Sequence, residues 1–127
     1  MFSPFVSNEL DPLRIFSDGS FHEACFWQHP LAKIARARYD ELREKSQGHI
    51  CSVCGNAIDK PDDYVGLGHL TDDANEPLHA LNYAQYHLSC LATSPVRPRI
   101  CALLAEFRNS GKWKGPGLEH FLSKYCN

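Results

Sequence analysis

Apolar residues in the stretch 31–45 recur at helical spacing. Leu31, Ile34, Ala35, Tyr39 and Leu42 fall on one face, with Arg36, Arg38, Asp40, Glu41, Arg43 and Glu44 in the positions between. Gly48 is the expected stop. Ahead of this helix, Ser20 and Glu23 have the spacing of a capping box, predicting a short helix that ends near His29-Pro30. Residues 1–19 read as an irregular arm anchored by Phe2, Phe5, Leu10, Ile15 and Phe16. From His49 to Leu70 the pattern changes to short β-like pieces, 50–53 and 64–70, separated by Gly55-Asn56 and Pro61-Asp62-Asp63 turns.

After a turn-rich stretch at 71–77, a short helix is predicted over 84–91 and a longer one over 97–108. The longer helix would bury Ile100, Leu103, Leu104 and Phe107 and end at Gly111. Pro116 opens a last helix bearing Leu118, Phe121, Leu122 and Tyr125. The fold expected is α+β and mostly helical. No linker interrupts the 127 residues, so 1–127 is expected to be a single domain. It would comprise an N-terminal arm and helices (1–48), a central unit (49–93) and C-terminal helices (94–127).

Composition adds limits. With 43% hydrophobic and 22% charged residues the chain has the make-up of a globular protein, and its apolar runs are too short to span a membrane. The first residues carry neither a basic leader nor an apolar stretch of signal length, so a cytoplasmic location is expected. In that setting the six cysteines are expected to be thiols or metal ligands rather than disulfides. The formal net charge is −2, and the basic residues are scattered among acids. Nucleic-acid binding draws on a basic stripe, so the charge pattern speaks against that partner and for a protein one.

The clearest chemistry is in the centre. Cys51-Ser-Val-Cys54-Gly55 places two thiolates three positions apart on a turn, and His87-Leu-Ser-Cys90 repeats the spacing downstream. Three thiolates and an imidazole make a closed tetrahedral set typical of one structural Zn²⁺. A redox dithiol would need a thioredoxin-like strand–turn–helix, and iron–sulfur clusters usually take four cysteines. Cys51, Cys54, His87 and Cys90 are therefore the predicted metal ligands.

A knuckle on a hairpin, an intervening strand region and a second ligand pair opening a helix resemble the treble-clef arrangement shared by LIM, RING-like and HNH zinc modules. The resemblance covers 49–93 and implies architecture rather than function. Within it, His69 lies fifteen positions after Cys54 and Asn82 five before His87, similar to zinc-containing HNH nucleases. Membership would imply that His69 is a general base, that Asn82 orients the loop bearing it, and that a divalent ion stabilises the phosphate transition state. Two positions depart from that pattern. Gly68 stands where an acid is expected before the histidine, and Leu91 stands where a metal ligand is expected after the second pair. Asp72, Asp73 and His79 are the available substitutes. The bland alternatives are a partly buried His69 on a strand and an Asn82 capping a turn.

The remaining candidates have plainer expectations. Phe21-His22-Glu-Ala-Cys25-Phe26 echoes Tyr86-His87-Leu-Ser-Cys90-Leu91, so His22, Cys25 and His29 could form half of a second metal site if Cys101 and Cys126 joined it. The favoured expectation packs His22 and Cys25 in the core, with Cys101 also in the core and Cys126 exposed. No protease signature surrounds any cysteine. Trp27 is expected in or near the core. Trp113 carries the same expectation, although its turn-rich loop 111–117 is a candidate partner contact; so is the acidic strip of Asp59, Asp62, Asp63, Asp72, Asp73 and Glu76, whose bland alternative is ordinary solvated turns.

Function is expected to be that of a non-enzymatic, zinc-stabilised protein-binding module. It resembles in kind the bacterial immunity proteins that cover the active site of a cognate toxin. The alternative is a divergent HNH-like endonuclease using His69 and Asn82.

Overall fold

The N-terminal helices owe their packing to aromatic residues. In the computed structural model, which describes residues 5–17 and 20–126, a 3₁₀ turn at Pro12–Phe16 is capped by the Asp11 side chain, which accepts from the Leu13 amide. Helices α1 (Glu23–Gln28) and α2 (Ala32–Lys45) follow. Phe16, 1% exposed, is the hub: Phe21, Phe26 and His29 surround its ring at centroid distances of 5.0–5.5 Å. Phe5, Val6, Leu13, Phe26, Ala32 and Ala35 complete this cluster. Phe2, the other predicted anchor of the arm, lies outside the described residues.

Several expectations for this region need correction. The capping box is not formed: His22 occupies the N-cap of α1 and makes no side-chain cap bond. The buried stripe of α2 runs through Ala32, Ala35 and Arg38, which leaves Ile34, one position out of phase, 54% exposed. Arg38, expected on the polar face, is buried because Asp11 and Asp72 both pair with its guanidinium. His22 and Cys25 are exposed rather than core, and Trp27 is half-exposed against Phe26. Gly48, at φ +79°, ends the chain's run out of α2 as expected.

The central region holds less sheet than its pattern suggests. Of segment 50–53 only an isolated bridge forms, Ile50 to Ala57, and the strand predicted over 64–70 shortens to β1 (Tyr64–Gly66). Its antiparallel partner β2 (Gln85–His87) arises in the segment read as helix, in register Tyr64↔His87, Val65↔Tyr86 and Gly66↔Gln85. The helix begins only at α3 (Leu88–Thr93), where the Asp63 carboxylate accepts from the Leu88 amide at 3.0 Å. That contact lends the exposed helix start an acceptor and a negative charge.

Helices α4 (Val96–Asn109) and α5 (Pro116–Tyr125) match the prediction closely. Their buried residues, including Ile100, Leu104, Phe107, Leu118 and Phe121, share one cluster with Val65, Leu70, Leu78, Tyr86 and Leu91 of the central region. The central unit and the C-terminal helices are thus two sides of one core. Trp113 belongs to it and is 8% exposed, in keeping with the core packing expected for it despite its Gly-rich loop. Packing of α4 on α5 also brings Cys101 and Cys126 together as a disulfide, with Cα atoms 5.6 Å apart. Two of the six cysteines are therefore not thiols, and neither Cys101 nor Cys126 can complete a metal site with His22 and Cys25. Among the described residues, no helix is long and apolar enough to cross a membrane.

Candidate metal centre

Cys51, Cys54, His87 and Cys90 converge, with ligand atoms all within 4.8 Å of one another. Each pair is delivered by its own local structure. The Cys51 amide donates to the Asn56 carbonyl and the Gly55 amide to the Cys51 carbonyl, which closes a tight knuckle. Gly55, at φ +75°, allows that turn without Cβ strain. The second pair straddles the junction of β2 and α3, where His87 is both the last strand residue and the N-cap of the helix. The two halves are joined by main chain, because the Ser52 amide donates to the Gln85 carbonyl at 2.7 Å.

The distances match a tetrahedral metal. Metal–sulfur and metal–nitrogen bonds of about 2.3 and 2.05 Å at tetrahedral angles put sulfur and nitrogen about 3.6 Å apart. The Nδ1 atom of His87 lies 3.4 Å from Cys54 Sγ and 3.7 Å from Cys90 Sγ. Its other ring nitrogen, Nε2, is 3.1 Å from the Ala57 carbonyl, an acceptor that holds the proton there and leaves Nδ1 free to ligate. Ala57 was not legible as a support from sequence, because the contact is through main chain.

Electrostatics make the same point. Burial acts to raise the Cys51 pKa, but the amides of Cys54, His87 and Val53 hold its thiolate at about 6. Cys90 is pushed up to about 11, by desolvation and then by the neighbouring sulfurs of Cys51 and Cys54. Hydrogen bonding to Cys51 raises His87. Sulfurs this close resist a third negative charge unless a cation sits among them, so the donor set fits a bound metal ion.

The second candidate constellation is also assembled, but differently from a nuclease pattern. His69, with 9% of its side chain exposed, holds Asp72 through Nε2 at 2.8 Å, and Asp72 in turn meets Arg38 at 2.6 Å. The carboxylate at His69 thus comes from Asp72, three residues after the histidine, and not from position 68. Burial and Arg38 lower the His69 pKa against the opposing pull of Asp72. For Asp72, burial acts upward, and the bonds to His69 and Arg38 outweigh it to give a lowered value. Asn82 clamps the loop after His69: its Oδ1 accepts from the Leu70 and Thr71 amides at 2.7 and 3.1 Å, and its Nδ2 donates to the Thr71 carbonyl at 2.8 Å.

Asp73 and His79, the other expected substitutes, are exposed and make no contact with His69 that is described. The shallow cleft beside His69 is lined by Asp11, Asp72, Asp73 and Glu76, with Lys112 as its one amine. Of the acidic strip, Glu76 pairs with Lys112 and Asp63 caps α3, while Asp59 and Asp62 are solvated.

No family model matches the chain, and none of the curated proteins or solved structures compared with it is significantly similar.

Proposed function

We propose that this chain is a non-enzymatic module, organised by one structural zinc ion in a treble-clef-like unit, whose surface binds another protein. The observation that carries the zinc assignment is the closed set of three sulfurs and one oriented imidazole. Such a set leaves no position for a substrate, and its soft donors suit zinc over the harder divalent ions. Knuckle ligands from one turn and a second pair from a strand–helix junction are the parts of a treble clef.

The non-enzymatic assignment rests on His69. Its Nε2 is already taken by Asp72, its ring is desolvated, and the four carboxylates of the adjoining cleft outnumber Lys112 and the Arg38 guanidinium that pair with three of them. A phosphodiester backbone is repelled by such a surface. The network is better suited to joining the N-terminal helices to the zinc unit through Arg38. Neutralisation of a cognate toxin, as bacterial immunity proteins achieve, is the kind of protein binding proposed.

One observation favours a second reading, a divergent HNH-like nuclease: Asn82 orients the loop that bears His69, as the resemblance implies. A DNA-nicking assay with magnesium or manganese separates the two. The binding-module reading expects no cleavage; metal-dependent nicking abolished by His69→Ala would overturn it. Metal analysis of the purified chain should return about one zinc per molecule.

A further inference from the structure

One chain carries cysteines in two oxidation states. Cys101 and Cys126 are joined, linking α4 to the end of α5, while Cys25, Cys51, Cys54 and Cys90 are free thiols. A disulfide forms when two thiols pass two electrons to an oxidant, such as a small-molecule disulfide. An oxidant that serves Cys101 and Cys126 also meets Cys54, which is exposed, and Cys90, which is half-buried.

The free thiols of the metal centre are well placed to be oxidised themselves. Cys51 and Cys54 lie three positions apart on the knuckle turn, which the Gly55 amide closes on the Cys51 carbonyl at 2.9 Å. The first and last residues of a tight turn have Cα atoms within about 7 Å, and a disulfide spans about 4.4–6.8 Å. The sulfurs of Cys51, Cys54 and Cys90 already lie within 4.8 Å of one another. Cys101 and Cys126, by contrast, are 25 positions apart and meet only because α4 packs on α5. Closing a short loop costs less chain entropy than closing a long one, so connectivity favours the knuckle pair. Yet the distant pair is closed and the knuckle pair is open.

The two pairs differ in their surroundings. Cys51 and Cys54 share a donor group with Cys90 and the His87 imidazole, whereas among the described residues Cys101 and Cys126 belong to no such group. Disulfide exchange begins with attack by a thiolate, and a thiolate engaged as a metal ligand is not free to attack.

We infer that metal occupancy decides which cysteines pair. With the centre loaded, oxidation closes Cys101–Cys126 alone; with it empty, Cys51 and Cys54 close as well. In that step two protein thiols and one small-molecule disulfide become one protein disulfide and two small thiols, which carry off the two protons. The oxidised knuckle has lost two of four ligands, so the centre refuses metal until a dithiol reductant reopens the bond. This rests on the zinc reading above and makes the centre a redox switch.

The test starts from the fully reduced full-length chain, either zinc-loaded or stripped by a chelator, and treats both with glutathione disulfide. Free thiols are then alkylated and disulfides mapped by peptide mass spectrometry. The loaded chain is expected to yield Cys101–Cys126 only, and the stripped chain Cys51–Cys54 in addition. Freed of chelator and glutathione, the stripped and oxidised chain should take up no zinc, and dithiothreitol should restore uptake. The double variant Cys101→Ser, Cys126→Ser removes the competing pair. Loaded, it should form no intrachain disulfide; stripped, it should still form Cys51–Cys54.

The inference is overturned if the loaded chain forms Cys51–Cys54 as fast as the stripped one. It is equally overturned if the stripped chain leaves these thiols reduced or pairs them without preference, or if the oxidised chain still takes up zinc. A chain that never binds zinc defeats the zinc reading as well. A chain that binds zinc and oxidises alike with and without it defeats this inference alone.

Discussion

Among the described residues, two apolar clusters are built on different principles. Around Phe16 the N-terminal helices are held by aromatic edge-to-face contacts, with no ligand atom or covalent link involved. Around Leu91 and Leu104 the second cluster spans the central unit and helices α4 and α5. It is bounded at one end by the Cys51–Cys54–His87–Cys90 group and tied at the other by the Cys101–Cys126 disulfide. The central unit has two three-residue strands, two short 3₁₀ helices (Pro61–Asp63 and Pro77–Leu81) and a six-residue helix among its described residues. Elements so short cannot sustain themselves through propensity or ladder bonds, whereas α2 and α4 have fourteen residues each. Where secondary structure is scant, four potential metal ligands converge.

This contrast predicts unequal responses to perturbation. The largest effect should come from the metal ligands. Cys51→Ser or Cys90→Ser should abolish zinc in metal analysis and melt the central unit. Apparent binding energies of structural zinc, about 10–16 kcal/mol in finger peptides, rival the whole stability of a domain. Amide exchange should show the loss concentrated at 49–93; an unchanged exchange pattern after metal stripping would break the comparison.

Next, Phe16→Ala should cost about 3–5 kcal/mol through the cavity it leaves in the aromatic cluster. Zinc content should stay at one per chain, and loss of the metal here would show that the two clusters are not independent. Arg38→Ala tests their connection. Removing it strands Asp11, whose side chain is only 11% exposed, and breaks the link to Asp72 and His69. Breaking a buried ion pair from one side costs about 3–5 kcal/mol, less here because Asp72 is 71% exposed. Chemical denaturation can measure this shift.

Reduction of Cys101–Cys126 in the metal-loaded protein should lower stability by up to about 3.5 kcal/mol, the loop-closure value for its sequence separation of 25. The smallest expected effect is pH dependence through the bridge. His69 is lowered in the fold, so acidification below its ordinary value near 6.5 protonates the unfolded state first and stability falls. Asp72 is also lowered, so its contribution is present at neutral pH and disappears as its folded carboxylate protonates. Both signs agree. His69→Ala should flatten the part of the thermal-stability profile around pH 6.5, measured in Arg38-intact protein.

The candidate metal ligands were legible in sequence because two ligand pairs with three-residue spacing are a local signal, readable without knowing the path between them. The long helices were legible for the same reason: their apolar periodicity repeats over several turns. The misassignments came where local pattern and distant packing compete. Gln85–His87 has an unremarkable helical context, and only Val65 and Leu67 across the sheet make it a strand. Arg38 reads as a surface residue until two carboxylates from separate segments reach it.

By itself, then, the sequence determined the long helices and the four converging ligands. Each of these depends on residues whose spacing encodes their geometry. Tertiary structure alone decided that Cys101 meets Cys126, that Asp72 occupies the nitrogen of His69, and that Trp113 joins the core of α4 and α5. These depend on which segments pack together, and packing is a balance of burial over the whole chain that no local spacing records.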